Sequence, residues 1–340
     1  MLIEKARKST AKFLDCSPHQ IVFNSGSTEG ISSVFLHTYF RFKDSEKNIL
    51  LISDTEHAAP INEAEFLQEN GFEVIYIPTK SNGLIDDSFL EQIFSEKSHK
   101  IALVSVMAAN NETGVIQPYE MIGDLCNKKN IPYLCDTTQI LGKSKFSFVE
   151  SQADFITLSG HKLGALPGVG ALIIKSPETF TPTIHGGNQE NGLRGGTQNY
   201  IGIESVQIAV DDIMLNQNAY IKITKMRDEF EKRISAEYPD IVFFGKDVKR
   251  IGNTSFLSMP KTSASIIQDE LQFKKIYITT SSACSDQASN VSRVLEQMNV
   301  SHENGSGAIR ISFCSGNTND ELDFLIESLV SIYKKIKQTH

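Results

Sequence analysis

From about Ile21 to Lys175 the chain alternates short apolar runs with amphipathic stretches; the runs read QIVF, NILLIS, EVIYIP, IALVSVM, IPYLCD, DFITLS and GALIIK. Runs of this length, rich in Val, Ile and Leu and without strict alternation, predict strands buried on both faces. They predict an α/β domain with a mostly parallel central sheet and helices on both faces. Ligands on such sheets bind beyond the carboxyl ends of the strands. Thr197 to about Tyr238 predicts a long, mostly helical stretch able to bridge two domains, with apolar residues at Ile203, Val206, Ile208, Val210 and Ile213 near its start. The remainder predicts a smaller α+β unit, with strands near IVFFG, NTSFLSM, IYITT and AIRISF and helices around Ile266 and Val294. Thr318 and Glu321 are spaced as a capping box, and apolar residues recur at Leu322, Leu325, Leu329, Ile332, Tyr333 and Ile336, predicting a C-terminal helix packed on one face. A boundary is expected near residue 205, giving a large domain over 1–205 and a small one over 206–340.

Composition narrows the partners. With 340 residues, 40% of them hydrophobic, the chain can bury a large core. Its 33 Lys and Arg against 41 Asp and Glu give a net charge of −8, which repels phosphate backbones and anionic lipid and argues against direct nucleic-acid or membrane binding. The opening MLIEKARKSTAKFLD has no apolar signal core, and no long apolar run follows, so a cytoplasmic location is the expectation. Cys16, Cys126, Cys135, Cys284 and Cys314 are odd in number, scattered and never in a C-x-x-C pair. Neither a disulfide framework nor a metal site is expected.

Several loops after apolar runs carry chemistry. FNSGSTEGIS puts Gly26, Ser27 and Thr28 at a helix start, where free N–H groups favour an anion such as phosphate; a Ser/Thr cap explains it as well. IPYLCDTTQ leaves Asp136 at a buried strand end, followed by Gln139; the carboxylate either meets a cation or caps a helix. SDTEHAAP places His57 after a strand, and TLSGHKLGALPGVGAL places His161 and Lys162 where a strand ends. HGGNQENGLRGGTQN is a glycine-rich loop holding Arg194 that can bring backbone close to a ligand. Phosphate cradle, buried aspartate, histidine and strand-end lysine are together the parts of a pyridoxal 5′-phosphate site. There the lysine carries the cofactor as a Schiff base, the aspartate keeps the ring nitrogen protonated, and His57 can stack on the ring.

The segments GSTEG, TEHAA, NNETGVIQP, DTTQILGK, SGHKLGALPGVGAL, HGGNQENGLRGGT, SSACS and AIRIS, in this order and with similar spacing, resemble the cysteine desulfurases of the class V aminotransferase superfamily. The resemblance implies a fold type I transferase acting as a homodimer, with Lys162 as the cofactor lysine and Asp136 on the ring nitrogen. It implies that Gln139 and Asn111 contact ring substituents or substrate, and that His57 stacks. Ser27, Thr28, Ser159 and His161 are implied for the phosphate, and Thr197 for the partner subunit's cofactor. Arg310 is implied to clamp the substrate carboxylate, a task for a planar bidentate donor; its plain alternative is a strand salt bridge. TTSSACSDQASN reads as a mobile exposed loop. With VSRVL after it, this resembles the long-loop subgroup, in which Cys284 would take sulfur from L-cysteine as a persulfide, release L-alanine, and pass the sulfur to an iron–sulfur scaffold or a thiolation relay. The other four cysteines are read as structural.

Measured against the family, the chain begins late. An L-D-x-x-A-T-T-like segment is missing ahead of the helix that precedes IVFNSG, and the usual G-P pair after the lysine is absent, while His161 and Lys162 are kept. A related C–S or C–Se lyase, resembling selenocysteine lyase and indifferent to Cys284, is one alternative; a shortened binding homologue without turnover is another.

Overall fold

The computed structural model describes residues 2–216, 218–280 and 291–339. The chain divides into two compact units, one of Met1–Pro78, Ile85–Ala109 and Gln117–Gln217, the other of Thr79–Leu84, Asn110–Ile116 and Asn218–His340.

The first unit runs α1 (Leu2–Leu14), β1 (Ile21–Asn24), α2 (Ser27–Phe42), β2 (Ile49–Ser53), α3 (Ala58–Glu69), β3 (Glu73–Ile77), α4 (Asp87–Lys97), β4 (Ile101–Ser105), α5 (Tyr119–Lys129), β5 (Tyr133–Asp136), α6 (Phe148–Ser151), β6 (Phe155–Ser159), β7 (Gly170–Ile174) and α7 (Tyr200–Leu215). Its strands form one seven-stranded sheet in the order β1-β7-β6-β5-β4-β2-β3. All predicted strands are present. The pairs from β3 to β6 are parallel, but β7 runs antiparallel to both β6 and β1. A parallel return needs a crossover of about a dozen residues or more. The link 160–169 is shorter and folds back directly, pairing Ser159 with Gly170. β2, β4, β6 and β7 are buried along their whole length, as their unbroken apolar runs require. The prediction fails for β3, an edge strand with one buried residue and an exposed Tyr76. One sheet face packs Val22, Leu50, Ile52 and Leu134 against Ile31, Val34 and Phe35 of α2 and Leu67 of α3.

The second unit holds α8 (Ala219–Glu237), β8 (Val242–Phe243), β9 (Thr254–Ser258), α9 (Ala264–Phe273), β10 (Thr279–Thr280), α10 (Arg293–Gln297), α11 (His302–Gly305), β11 (Ala308–Ser312) and α12 (Asn319–Thr339). Its four-stranded antiparallel sheet has the order β10-β11-β9-β8. Side chains alternate between faces with period two. Leu257, Ile309 and Ile311 therefore join Phe230, Ile234, Leu325, Leu329 and Tyr333 in one core, while Phe256 and Ala308 face Val291, Val294, Leu295 and Met298 in another. The capping box of α12 forms as predicted: Thr318 N–H donates to Glu321 at 2.9 Å and Glu321 N–H to Thr318 Oγ1 at 3.2 Å. The stretch 197–238 is two helices instead of one. α7 ends at Asn216, whose N–H returns to Asp212 O, and α8 starts after Asn218; of the predicted apolar stripe, Ile208 stays exposed. No helix among the described residues is long and apolar enough to cross a membrane.

Candidate active site

The ends of β1, β2, β4, β5 and β6 and the start of β7 lie along one edge of the large sheet, because only β7 is reversed. Asp136 closes β5 and is 7% exposed. Its Oδ1 accepts three hydrogen bonds: from Thr138 N–H at 2.9 Å, Thr138 Oγ1 at 2.6 Å and Thr157 Oγ1 at 2.8 Å. Oδ2 receives no donor among the described residues. This oxygen is therefore open to a donor from outside the protein. Thr138 also joins the aspartate to the start of α2: its Oγ1 lies 2.6 Å from Ser27 Oγ, and Ser27 N–H donates to Ser159 Oγ at 3.0 Å. A polar chain thus runs from β5 through α2 to β6. Thr138 and Thr157 escaped the sequence reading; a hydroxyl two residues after a strand-end aspartate was the available signal.

The start of α2 borders a cavity of about 440 Å³ lined by Ser25, Gly26, Ser27, Thr28, Glu29, Ser159, His161, Pro167 and Gly168. Gly26 has φ 149°, in the region that favours glycine, and a Cβ on Gly170 would come within 2.6 Å of the Gly26 Cα. The backbone at the helix start can therefore lie close against β7; the Ser27 N–H is taken by Ser159, and those of Thr28 and Glu29, without a partner among the described residues, remain for an anion. Glu29, the one carboxylate lining this cavity, is neutralised by Arg194, with Nε to Oε1 at 2.9 Å and Nη2 to Oε2 at 3.2 Å. Burial pushes the Glu29 carboxyl up, but Arg194 and the Ser25 donors outweigh it and hold it below the usual range.

Lys162 and His161 sit in the turn between β6 and β7 and are exposed. Lost hydration, then the charges of Lys162 and Lys143, hold His161 below its ordinary pKa, so the imidazole is neutral near pH 7. Lys143 Nζ in turn donates to Gln139 Oε1 at 3.0 Å. His57 caps α3: its Nδ1 accepts from Ala59 N–H at 3.2 Å, which puts the proton of the neutral ring on Nε2. The end of β2, four residues before it, stands two strand spacings from the β5 end, roughly 9–10 Å along the edge. Thr197 lines a smaller polar cavity of about 150 Å³ with Asn24, Ser25, Arg194 and Gln198. Gly186 and Gly195 of the HGGNQENGLRGGT loop serve a backbone crossing, since a Cβ on Gly195 would meet the Gly186 Cα at 2.7 Å.

In the second unit, Arg310 of β11 is half-buried; its Nη1 donates to the Asn111 carbonyl at 2.7 Å and its Nη2 to Thr279 Oγ1 at 3.4 Å. Both of these partners are neutral oxygens. Cys284 lies outside the described residues. Of the other cysteines, burial pushes the Cys126 and Cys135 thiols far up and Cys16 to about 12, while Cys314 is exposed. With a thiolate fraction on the order of 10⁻⁴ at pH 8, Cys16 is expected to resist iodoacetamide in the native protein, as are Cys126 and Cys135. Peptide mass spectrometry after brief labelling should find the label on Cys314 before any of these three. Labelling of Cys135 at the rate of Cys314 would contradict the burial.

The sheet, its reversed strand and the edge cluster define a class of protein that comparison makes explicit. The model of the family "Aminotransferase class-V" matches residues 1–325, and the chain belongs to that family. It is 31% identical over 339 residues to the cysteine desulfurase IscS of Clostridium botulinum, covering 99% of this chain and 84% of that protein. Among solved structures, a NifS-like protein aligns with a TM-score of 0.89 at 32% identity, covering 98% of this chain and 87% of that one. SspA in complex with cysteine aligns with a TM-score of 0.79 at 28% identity, covering 93% and 88%. The fold expected from the sequence is the one found.

Proposed function

We propose that the protein is a pyridoxal 5′-phosphate-dependent cysteine desulfurase, converting L-cysteine to L-alanine and taking the sulfur as a persulfide. The observation that carries this reading is Asp136, with Oδ1 saturated by Thr138 and Thr157 and Oδ2 awaiting a donor, tied through Thr138 to an anion-ready helix start. The cofactor fits these residues. Asp136 Oδ2 would accept from its protonated ring nitrogen; Ser27, Thr28, Ser159 and His161 border a cavity suited to its phosphate; Lys162 would hold its aldehyde carbon and His57 its ring face. When bound, it supplies an acceptor for the electron pair left as the substrate loses its Cα proton.

The chain's own residues do the rest. Lys162 Nζ, as an amine, or His57 takes the Cα proton. Arg310 holds the substrate carboxylate with its planar fork, and Asn111 and Gln139 contact ring substituents or substrate. The Cys284 thiolate attacks the substrate sulfur: the new S–S bond forms, the Cβ–S bond breaks, and the three-carbon fragment takes up a proton and leaves as L-alanine. Similarity to a solved structure of SspA in complex with cysteine supports this substrate. Cys284 is assigned to the smaller, C-terminal domain. In a homodimer Thr197 serves the partner subunit's cofactor, and the persulfide passes to an acceptor protein, an iron–sulfur scaffold or a thiolation relay, in the cytoplasm.

The test is alanine release from L-cysteine by the purified chain with added cofactor and a thiol reductant. Alanine in many-fold excess over protein is expected, falling by about 10²-fold or more in Cys284→Ala. No alanine from protein whose visible spectrum reports bound cofactor would overturn the reading. Full turnover by Cys284→Ala would move the chain to the C–S or C–Se lyases.

A further inference from the structure

The turn after β4 is built around Asn110. Its side-chain oxygen accepts from Glu112 N–H at 2.9 Å, Thr113 N–H at 3.0 Å and Thr113 Oγ1 at 3.2 Å, while its carbonyl accepts from Gly114 N–H at 3.0 Å. A bridge between Val115 and Arg250 and a bond from Ile116 N–H to Lys249 O fasten this turn within the second unit. The turn is thus held without any help from the Glu112 side chain. That side chain nevertheless goes inward: Glu112 is 9% exposed, and its Oε2 has no hydrogen-bond partner among the described residues.

The candidate substrate arginine bonds the carbonyl of Asn111, the residue before Glu112, and its charge reaches the Glu112 carboxylate. Arg310 and Arg293 act on it electrostatically, and Ser292, 2% exposed and capping α10 through Leu295 N–H, hydrogen-bonds to it. Burial pushes the Glu112 carboxyl up, opposed by Ser292 and the two guanidiniums. Arg310 itself is only partly held. Nη1 is bound to the Asn111 carbonyl, Nη2 makes a long contact to Thr279, and Nε is buried with no partner among the described residues. An ionisable group buried in a turn that does not need it for packing is costly to keep unless it acts on its neighbours.

We infer that Glu112 is a positioning residue for Arg310: anchored by Ser292, its carboxylate sets the orientation of the guanidinium, so that the donors not bound to Asn111 stay arrayed for a substrate carboxylate. This rests on the reading of Arg310 as the carboxylate clamp. Glu112 touches no reacting atom. Its effect belongs on substrate binding, not on the chemical step.

The test uses Glu112→Gln, which keeps the volume and an acceptor for Ser292 but removes the charge, and Glu112→Asp, which restores the charge on a shorter arm. At pH 8, Glu112→Gln is expected to raise KM for L-cysteine about tenfold with kcat within about twofold of the unmodified protein, and Glu112→Asp to recover part of it. A second readout needs no turnover: phenylglyoxal modification of Arg310 in the cofactor-free chain, followed by peptide mass spectrometry, should be faster in Glu112→Gln. Unchanged KM and an unchanged modification rate overturn the inference, as does a loss confined to kcat. If the unmodified protein makes no alanine, it is the desulfurase reading that fails, and the modification rate alone decides the role of Glu112. If Glu112→Gln does not fold, Ser292→Ala replaces it in both measurements, with the same two directions expected.

Discussion

Lys162→Ala is expected to abolish alanine formation, by on the order of 10⁴-fold or more, while leaving the fold intact. The side chain is exposed in the turn between β6 and β7 and supports no core, so its removal costs little stability. The chemistry has no substitute for it. Of the groups on this sheet edge, Lys143 is engaged with Gln139, and the His57 ring is fixed by its N-cap bond. Neither offers an unhindered amine next to Asp136. Two measurements check this. Borohydride treatment should fix the cofactor covalently to a Lys162 peptide in the unmodified chain and to none in the variant, and thermal unfolding should differ by no more than a degree or two. Cofactor fixed to another lysine, with turnover kept, would remove Lys162 from the site.

The second large effect is on stability. Glu190 lies in the glycine-rich loop with φ 48° and ψ 41°, 4% exposed, and its carboxylate accepts four donors. Arg7 provides two, at 2.8 and 3.0 Å; Phe23 N–H provides one at 2.8 Å; Gln198 Nε2 provides the last. Arg7, 4% exposed, also donates to Ile21 O at 2.5 Å and lies over the Phe23 ring. This buried pair ties α1 and β1 to the loop that carries Arg194 and Thr197. Removing one partner leaves the other charged and buried, a loss of about 3–5 kcal/mol. Arg7→Met is therefore expected to lower the melting temperature by on the order of 10 °C. The double variant Arg7→Met/Glu190→Leu should regain much of it, because no charge is then stranded. Equal stability of Arg7→Met and the unmodified protein would mean that water reaches the pair.

The fold-defining strands were legible because each is a local apolar run, and α12 because its capping box and stripe lie within its own residues. Asp136, Ser27, Lys162 and His161 were legible for a related reason: each ends a strand or starts a helix, and in a parallel sheet those positions fall along one edge. Elements whose identity depends on distant neighbours were not. EVIYIP looks like its fellows, yet it became an edge strand, since which strand lies outermost is a matter of sheet order. The break between α7 and α8 was hidden in LNQN, where two asparagines can either continue a helix or end one.

Local composition alone thus determined the alternation of strand and helix, the C-terminal helix and the residues able to carry chemistry. Tertiary structure decided what those residues are bonded to. It reversed β7, because residues 160–169 are too few for a crossover. It joined Arg7 to Glu190 across 183 positions, linked Asp136 to Ser27 through Thr138, and placed segments 79–84 and 110–116 in the second unit, where Arg310 bonds the Asn111 carbonyl. Periodicity and capping act over a few residues and are written in order along the chain. A buried charge acquires its partner only when two distant segments fold against each other, and no local pattern records that meeting.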